Sequence, residues 1–510
     1  MALRLAQQSH LGKKTTGRRV LIAASIAVTA ALVMTGCTGG GDSASDLPTV
    51  NVGLILEPTN LDIRTTPGIA IDQVLIDNVY QGLVGRTPTN QIVDVIAKSH
   101  SVSKDGLTYT FPLNTGISFG NGTKLTADDV VWSIDQVRTN DAYAGNADLA
   151  DVASVKKDGD DTIVITLSKP NSNLLWALSG RAGIVLEKAA KNKLKTTANG
   201  TGPYTLSSWK QGDSLTLVRN PDYWGDKAKV GKIVFRYITD PSAQANALVN
   251  GDTVVQTQFD ATLTKQLESD PDLVVHRGKT TDKYTLAFNN AVAPFTDLRV
   301  RQAIRRAIDV KAILKTIGGA GVAQGGPIPQ IDPGYQNLDS VDAYDPDNAK
   351  KLLAAAGQTN LNLTLTIPNV YGTTVADVLV SQLAAVGITL KVDSVEFATW
   401  LNDVYKNRDY QLSYVDHAES HDFGNWANPK YYFGYNNPTV QALYAESLAA
   451  TDPAVVTAKL EQAAKIVAND APAEWLYTAT TLTVIKKGVT GFPTDSTTAR
   501  LNLAKLSVKS

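Results

Sequence analysis

The chain is 510 residues long, with 48 basic residues against 49 acidic ones and a net charge of −1. That balance lacks the basic excess of a nucleic-acid binder, and the length exceeds what one hydrophobic core usually organises, so two or more lobes are expected. No fixed-period repeat is visible, which argues against solenoids and propellers. The first expected element is an export signal over residues 1–36. Lys13, Lys14, Arg18 and Arg19 precede an apolar run over residues 20–33, too short to span a bilayer and right for a signal-peptide core. The adjacent Arg18 and Arg19 leave both general secretion and twin-arginine export open.

The run ends at Met34-Thr35-Gly36-Cys37, which resembles a bacterial lipobox with Met34 where Leu is usual. Cys37 is the only cysteine of the chain, and an unpaired cysteine in an exported protein calls for an explanation; diacylglycerol on its sulfur supplies one. Residues 37–48 read as a flexible tether with a reach of roughly 15–20 Å on random-coil scaling. The expectation is a globular body held by lipid at the extracytoplasmic face of a bacterial cell membrane.

The folded body starts at Val50 with an alternating strand, followed by the string Glu57-Pro58-Thr59-Asn60-Leu61-Asp62. Residues 74–83 predict an amphipathic helix ending near Gly82 and Gly85. Residues 107–134 predict two strands, a glycine turn and a helix opened by Thr126-Ala-Asp-Asp129 in capping-box spacing; its acids are caps, not catalysts. Residues 162–167 are a strand. Arg181 then stands alone in an apolar, glycine-flanked run over 174–186, where it either caps a helix end or meets an anion in a cavity. Residues 200–225 give a turn, two strands and an aromatic end, with glycines and prolines setting turn dihedrals. A strand over 233–238 and a helix over 241–250 follow.

Residues 285–288 predict a short buried strand, broken by Asn289, Asn290 and Pro294, before a long helix capped by Asp297. Its apolar stripe is Val300, Ala303, Ile304, Ala307, Ile308, Ala312 and Ile313, and Arg299, Arg301, Arg305 and Arg306 fall mainly off it, as on a solvated face. The glycine-rich stretch 318–326 follows a helix and precedes Pro327, so a dinucleotide-binding loop is rejected. Asp345 and Pro346 open a helix that Gly357 closes. Alternating segments over 361–367, 375–386 and 388–395 indicate an α/β lobe. Residues 409–435 are the chemically richest stretch: Asp416, His417, Glu419, His421 and Asp422 lie among Tyr414, Trp426, Tyr431 and Tyr432. The histidine spacing is not that of a zincin, and Gly424 and Pro429 argue for a loop. Helices over 438–449 and 453–469 and a final strand over 471–485 complete the pattern.

Several strings together resemble extracytoplasmic solute-binding proteins of the peptide/nickel (family 5) ABC importers. They are FNN, then PF-x-D-x-RVRQA and AID over residues 288–309; G-T-G-P-Y, W-x-x-G-D and R-N-P-x-Y-W over 200–224; the Glu57–Asp62 string, with Ile63 where Pro is usual; and YDPDNAKKLLAAAG over 344–357. The resemblance implies an α/β, two-lobed periplasmic-binding-protein-like fold with a hinge and an extra subdomain in the first lobe. It implies a first lobe over 49–284 with the subdomain at about 85–194, a second lobe over 285–470, and a return to the first over 471–510. It also implies a monomer without cofactor or catalytic residues, which captures di- or oligopeptides between the lobes and passes them to a membrane permease with a cytoplasmic ATPase. Glu419 best matches the acid that pairs with a peptide ammonium, and Arg181 is the expected partner of its carboxylate. His417, Asp416, Tyr414, Trp426 and Asn60 are further ligand-binding candidates. A nickel or metal-chelate carrier using His417 and His421 is the alternative, and a secreted hydrolase is a third reading, for which no G-x-S-x-G, zincin motif or cysteine nucleophile is found.

Overall fold

Two long antiparallel strands, Leu273–Phe288 and Ala473–Lys486, form the spine of the molecule. In the computed structural model they lie inside an 11-stranded sheet, and residues 47–509 are described apart from Pro67, Lys191 and Asn192. The segments expected to be an export signal and a tether, with Cys37, fall almost wholly outside the described residues. Among the described residues no helix is long and apolar enough to cross a membrane.

The sheet runs, in spatial order, through Ile388–Val395, Leu361–Pro368, Leu412–His417, Leu273–Phe288, Ala473–Lys486, Val255–Gln256, Thr49–Leu54, Lys232–Tyr237, Ser214–Arg219 and Tyr204–Lys210, with Gly321–Ala323 paired beside Ala473–Lys486. One half of the spine, Leu273↔Lys486 to Lys279↔Thr480, belongs with the N-terminal strands. The other half, Lys283↔Thr478 to Ala287↔Ala473, belongs with Leu412–His417. The register shifts between Lys279 and Lys283, so an irregularity of the ladder separates the two halves. The short strand expected from Thr285 is thus the end of a 16-residue strand. Its first part, with Lys279, Thr280, Thr281 and Asp282, is too polar to read as buried sheet and is held by pairing with the returning strand.

Each half has its own apolar cluster. Val50, Val52, Leu54, Leu217 and Phe235 pack with Leu501 and Leu503 from the far end of the chain. Residues 101–167 form a four-stranded antiparallel sheet under the helix Ala127–Arg138, with Phe111, Val130, Ile134 and Ile163 as its interior. Thr126 and Asp129 make the expected reciprocal cap of that helix. Gly200 and Gly202 lie against backbone: a Cβ on either would sit 2.1 Å from the Val79 carbonyl oxygen or 2.3 Å from that of Asn78. Asp77 takes a positive φ of 68° just after the helix Ala70–Leu75, so the helix expected over 74–83 ends where it was to begin.

In the other half, parallel strands Leu361–Pro368 and Ile388–Val395 alternate with helices Pro346–Ala355 and Thr374–Ala384. The long helix expected after Asp297 is two helices, Leu298–Arg306 and Val310–Thr316. Asp309 accepts from the Lys311 and Ala312 N–H groups, and that second cap restarts the helix. The arginine face is not solvated throughout. Arg299 is exposed and pairs with Asp297, but Arg305 is 2 % exposed and binds Glu474 (2.7 Å), Asp342 (3.2 Å) and the Ala468 carbonyl (2.6 Å). Arg301 donates to the carbonyls of Phe295, Asp470 and Ala471.

Candidate functional site

Strand Leu412–His417 runs parallel to Leu361–Pro368, and beyond its C-terminal end the chain enters the loop Ala418–Asp422. Ligands of open α/β sheets bind outside the carboxyl ends of such strands. There the loop faces the N-terminal half across a cavity of about 310 Å³, lined among others by Asp72, Asp77, Arg86, Trp176, Glu419 and Arg500.

A buried lysine sets the loop. Lys283, its side chain 4 % exposed, donates from Nζ to the carbonyls of Glu419 (2.7 Å) and Thr281 (3.0 Å) and pairs with Asp422 (3.3 Å). Asp332 takes the other side, accepting from the Ser420 hydroxyl and from the His421 N–H (2.8 Å). These ties hold His421 at a positive φ of 58°, a conformation that costs a non-glycine residue energy. Its imidazole lies on the Trp176 indole, centroids 3.9 Å apart and planes 12° apart, and the Arg86 guanidinium lies 3.8 Å from the same ring system. Burial lowers the pKa of His421, so the stacked ring is held neutral.

The charges of the cavity are mostly matched. Arg500 donates to both oxygens of Asp77 and to the Ser179 carbonyl (2.7 Å). Two are not. The Glu419 carboxylate is exposed and has no hydrogen-bond or ion-pair partner among the described residues, and the Arg86 guanidinium has none either, its Nε being buried and unsatisfied.

The other sequence candidates are distributed differently. Arg181 binds Asp72 (2.6 Å), the Thr66 carbonyl (2.6 Å) and the Gly68 carbonyl, so its donors are used within the N-terminal half. Asn60 accepts from the Asp62 N–H (3.0 Å) and the Thr66 hydroxyl (2.7 Å), shaping the segment whose carbonyls receive Arg181. Glu57 accepts from Trp209 Nε1 (3.0 Å) and the Gly212 N–H (2.9 Å), which links two of the sequence strings in space. His417 is buried against Tyr432, its Nε2 2.8 Å from the hydroxyl, and burial presses its pKa down to about 3. Trp426 stacks on Phe433 (4.2 Å) and meets Trp475 edge-on. Both side chains pack the interior. Asp416 and Tyr414 share a face of their strand with the ring of Tyr284. Among the described residues no three His, Cys, Asp or Glu side chains are grouped to hold a metal ion.

Arg86, Trp176 and Lys283 were not expected from sequence. Lys283 alone had a signal, a lysine just ahead of the apolar run 284–288, which needs internal acceptors if it is buried with that run.

An α/β sheet shared by two lobes, a paired-strand crossing and a charged cavity at the strand ends define the two-lobed periplasmic-binding-protein fold. The chain belongs to the bacterial extracellular solute-binding proteins, family 5, whose middle-region model matches residues 91–439. It is 32% identical over 333 residues to a putative ABC transporter peptide-binding protein of Brucella ovis, a match that spans 62% of this chain and 62% of that relative. It is 28% identical over 506 residues to the glutathione-binding protein GsiB of Pectobacterium atrosepticum, covering 94% of this chain and 96% of that one. The solved structure of HbpA2 from Haemophilus parasuis superposes with a TM-score of 0.83 at 21% identity, over 91% of this chain and 100% of that one.

Proposed function

We propose that this chain is the solute-binding component of an ABC importer and captures a peptide, or a peptide-like zwitterion, between its lobes. The observation that carries the reading is the pair of unmatched charges lining one cavity, Glu419 from the loop and Arg86 from the other side. A free peptide brings an ammonium and a carboxylate, each costly to desolvate unless paired. Glu419 receives the first. Arg86 takes the second, the role expected of Arg181, because each nitrogen of Arg181 is already bonded within the N-terminal half, whereas the guanidinium of Arg86 makes no hydrogen bond among the described residues and can bind a carboxylate bidentately. Trp176 then fixes the guanidinium plane.

The names of the Brucella and Pectobacterium relatives, one peptide-binding and one glutathione-binding, support a ligand of this chemistry. The lobe limits proposed are 49–284 and 471–510 for the first and 285–470 for the second, with the break in register between Lys279 and Lys283 as the hinge. Closure over the cargo hands it, chemically unaltered, to a permease driven by a cytoplasmic ATPase. Export and lipidation at Cys37 would keep the monomer at the outer face of the cell membrane.

Native mass spectrometry of the protein purified from its own membranes tests this. A co-purifying small peptide, released with its mass unchanged and accompanied by a smaller radius of gyration in small-angle scattering when bound, supports the proposal. Cargo returned cleaved, or no change of shape with any bound solute, would overturn it.

A further inference from the structure

Four tyrosines, Tyr284, Tyr371, Tyr414 and Tyr477, meet around a second hollow of about 530 Å³ that shares no lining residue with the cavity above. Tyr284 stacks on Tyr477 (4.7 Å) and meets Tyr371 edge-on (5.8 Å), and the hydroxyls of Tyr414 and Tyr477 are 2.8 Å apart. Ala261 closes the hollow from the N-terminal half. The rings are not filler of a neutral core, because acids stand behind them. Asp416 is the cross-strand partner of Tyr284 and lies two residues from Tyr414 on the same face of its strand, and Asp282 lies two residues from Tyr284 on the facing strand. The Asp416 Oδ1 is buried with no partner among the described residues.

The local balance is negative. Asp282, Asp416, Glu419 and Asp422 gather around one ammonium, that of Lys283, which is spent on two carbonyls and Asp422. Aromatic faces carry negative quadrupole potential and attract a cation, and a carboxyl beside them adds to that attraction when the cation draws off its proton. Burial and Asp282 push the Asp416 carboxyl upward, which is the response of an acid lacking its counter-ion.

We infer that this tyrosine-lined hollow is a pocket for an alkylammonium or guanidinium head group, so that the cargo is a basic peptide, its Lys or Arg side chain lying over Tyr284 and Tyr371 with Asp416 as counter-ion. The basic-peptide part rests on the peptide reading above; the cation pocket does not.

Calorimetric titration of the purified chain with Ala-Lys-Ala, its norleucine isostere Ala-Nle-Ala, and butyltrimethylammonium separates the two. The lysyl peptide should bind about tenfold or more tighter than the norleucyl one. Asp416→Asn and, independently, Tyr371→Leu should each erase that preference and the binding of butyltrimethylammonium. Tyr371 is half-buried at the rim, so its variant remains informative if Asp416→Asn fails to fold. Equal binding of the two peptides, or binding of butyltrimethylammonium that both variants keep, overturns the pocket. If neither peptide binds while butyltrimethylammonium binds and needs Asp416, the pocket stands and the peptide reading falls. If none of the three binds, the pocket is overturned.

Discussion

The imidazole of His421 lies flat on the indole of Trp176, with ring centroids 3.9 Å apart. One ring belongs to the loop after strand Leu412–His417 and the other to the helix Leu174–Leu178, some 240 residues earlier in the chain. The stack therefore ties the loop to the N-terminal half of the chain, and Trp176, which lines the cavity, also carries Arg86.

Trp176→Leu keeps an apolar side chain on a short helix but removes the platform for both groups. Trialanine affinity should fall about tenfold while the thermal midpoint stays close to that of the parent. Unchanged affinity in a calorimetric titration would mean that Arg86 is positioned without the ring.

Lys283→Met removes the buried ammonium that ties down the loop and leaves Asp422 without its ion-pair partner. A loss of about 3–5 kcal/mol in urea unfolding is expected, largely recovered when Asp422→Asn is added. A single variant as stable as the parent would show that the pair does not hold the loop.

Arg305 stands between Glu474 and Asp342, all three buried or nearly so. Arg305→Leu should destabilise by about 3–5 kcal/mol, and Arg305→Lys should restore less than half of it, because one ammonium does not replace a fork that reaches two carboxylates and a backbone carbonyl. Equal stability of the Lys variant and the parent would contradict this.

Asp416 gives a pH dependence with a definite sign. Burial, with Asp282 beside it, raises its pKa to about 7, so between about pH 4 and pH 7 the folded chain keeps a proton that the unfolded chain has released. The contribution of this group to stability therefore falls as pH rises through that window. Asp416→Asn should raise the thermal midpoint more at pH 8 than at pH 4.5. An equal shift at both pH values would place the carboxyl in its ordinary range.

Much of the fold was legible because its signals are local. The cap of Thr126 and Asp129, the proline and glycine bracketing Pro346–Ala355, and the β and α alternation over 361–395 are each written within a few residues. The 16-residue spine strand was half missed because its polar part is held in the sheet by a partner some 200 residues away. The second cap at Asp309 was hidden by an apolar stripe that continues across the break. At the site, Glu419 lines the cavity, but Arg181 and Arg86 look alike in sequence, each an arginine within one residue of a glycine. Which one is spent is decided by Asp72 and by the Thr66 and Gly68 carbonyls, more than 100 residues from Arg181.

The most direct test of the central claim is a calorimetric comparison of trialanine with its N-acetylated and C-amidated forms, on the parent and on Glu419→Gln and Arg86→Gln. Blocking the amine should weaken binding to the parent by about 2–5 kcal/mol and matter little to the Glu419 variant, and blocking the carboxylate should do the same with respect to Arg86. Blocked and free peptides that bind the parent equally would contradict capture of a zwitterion between these two side chains.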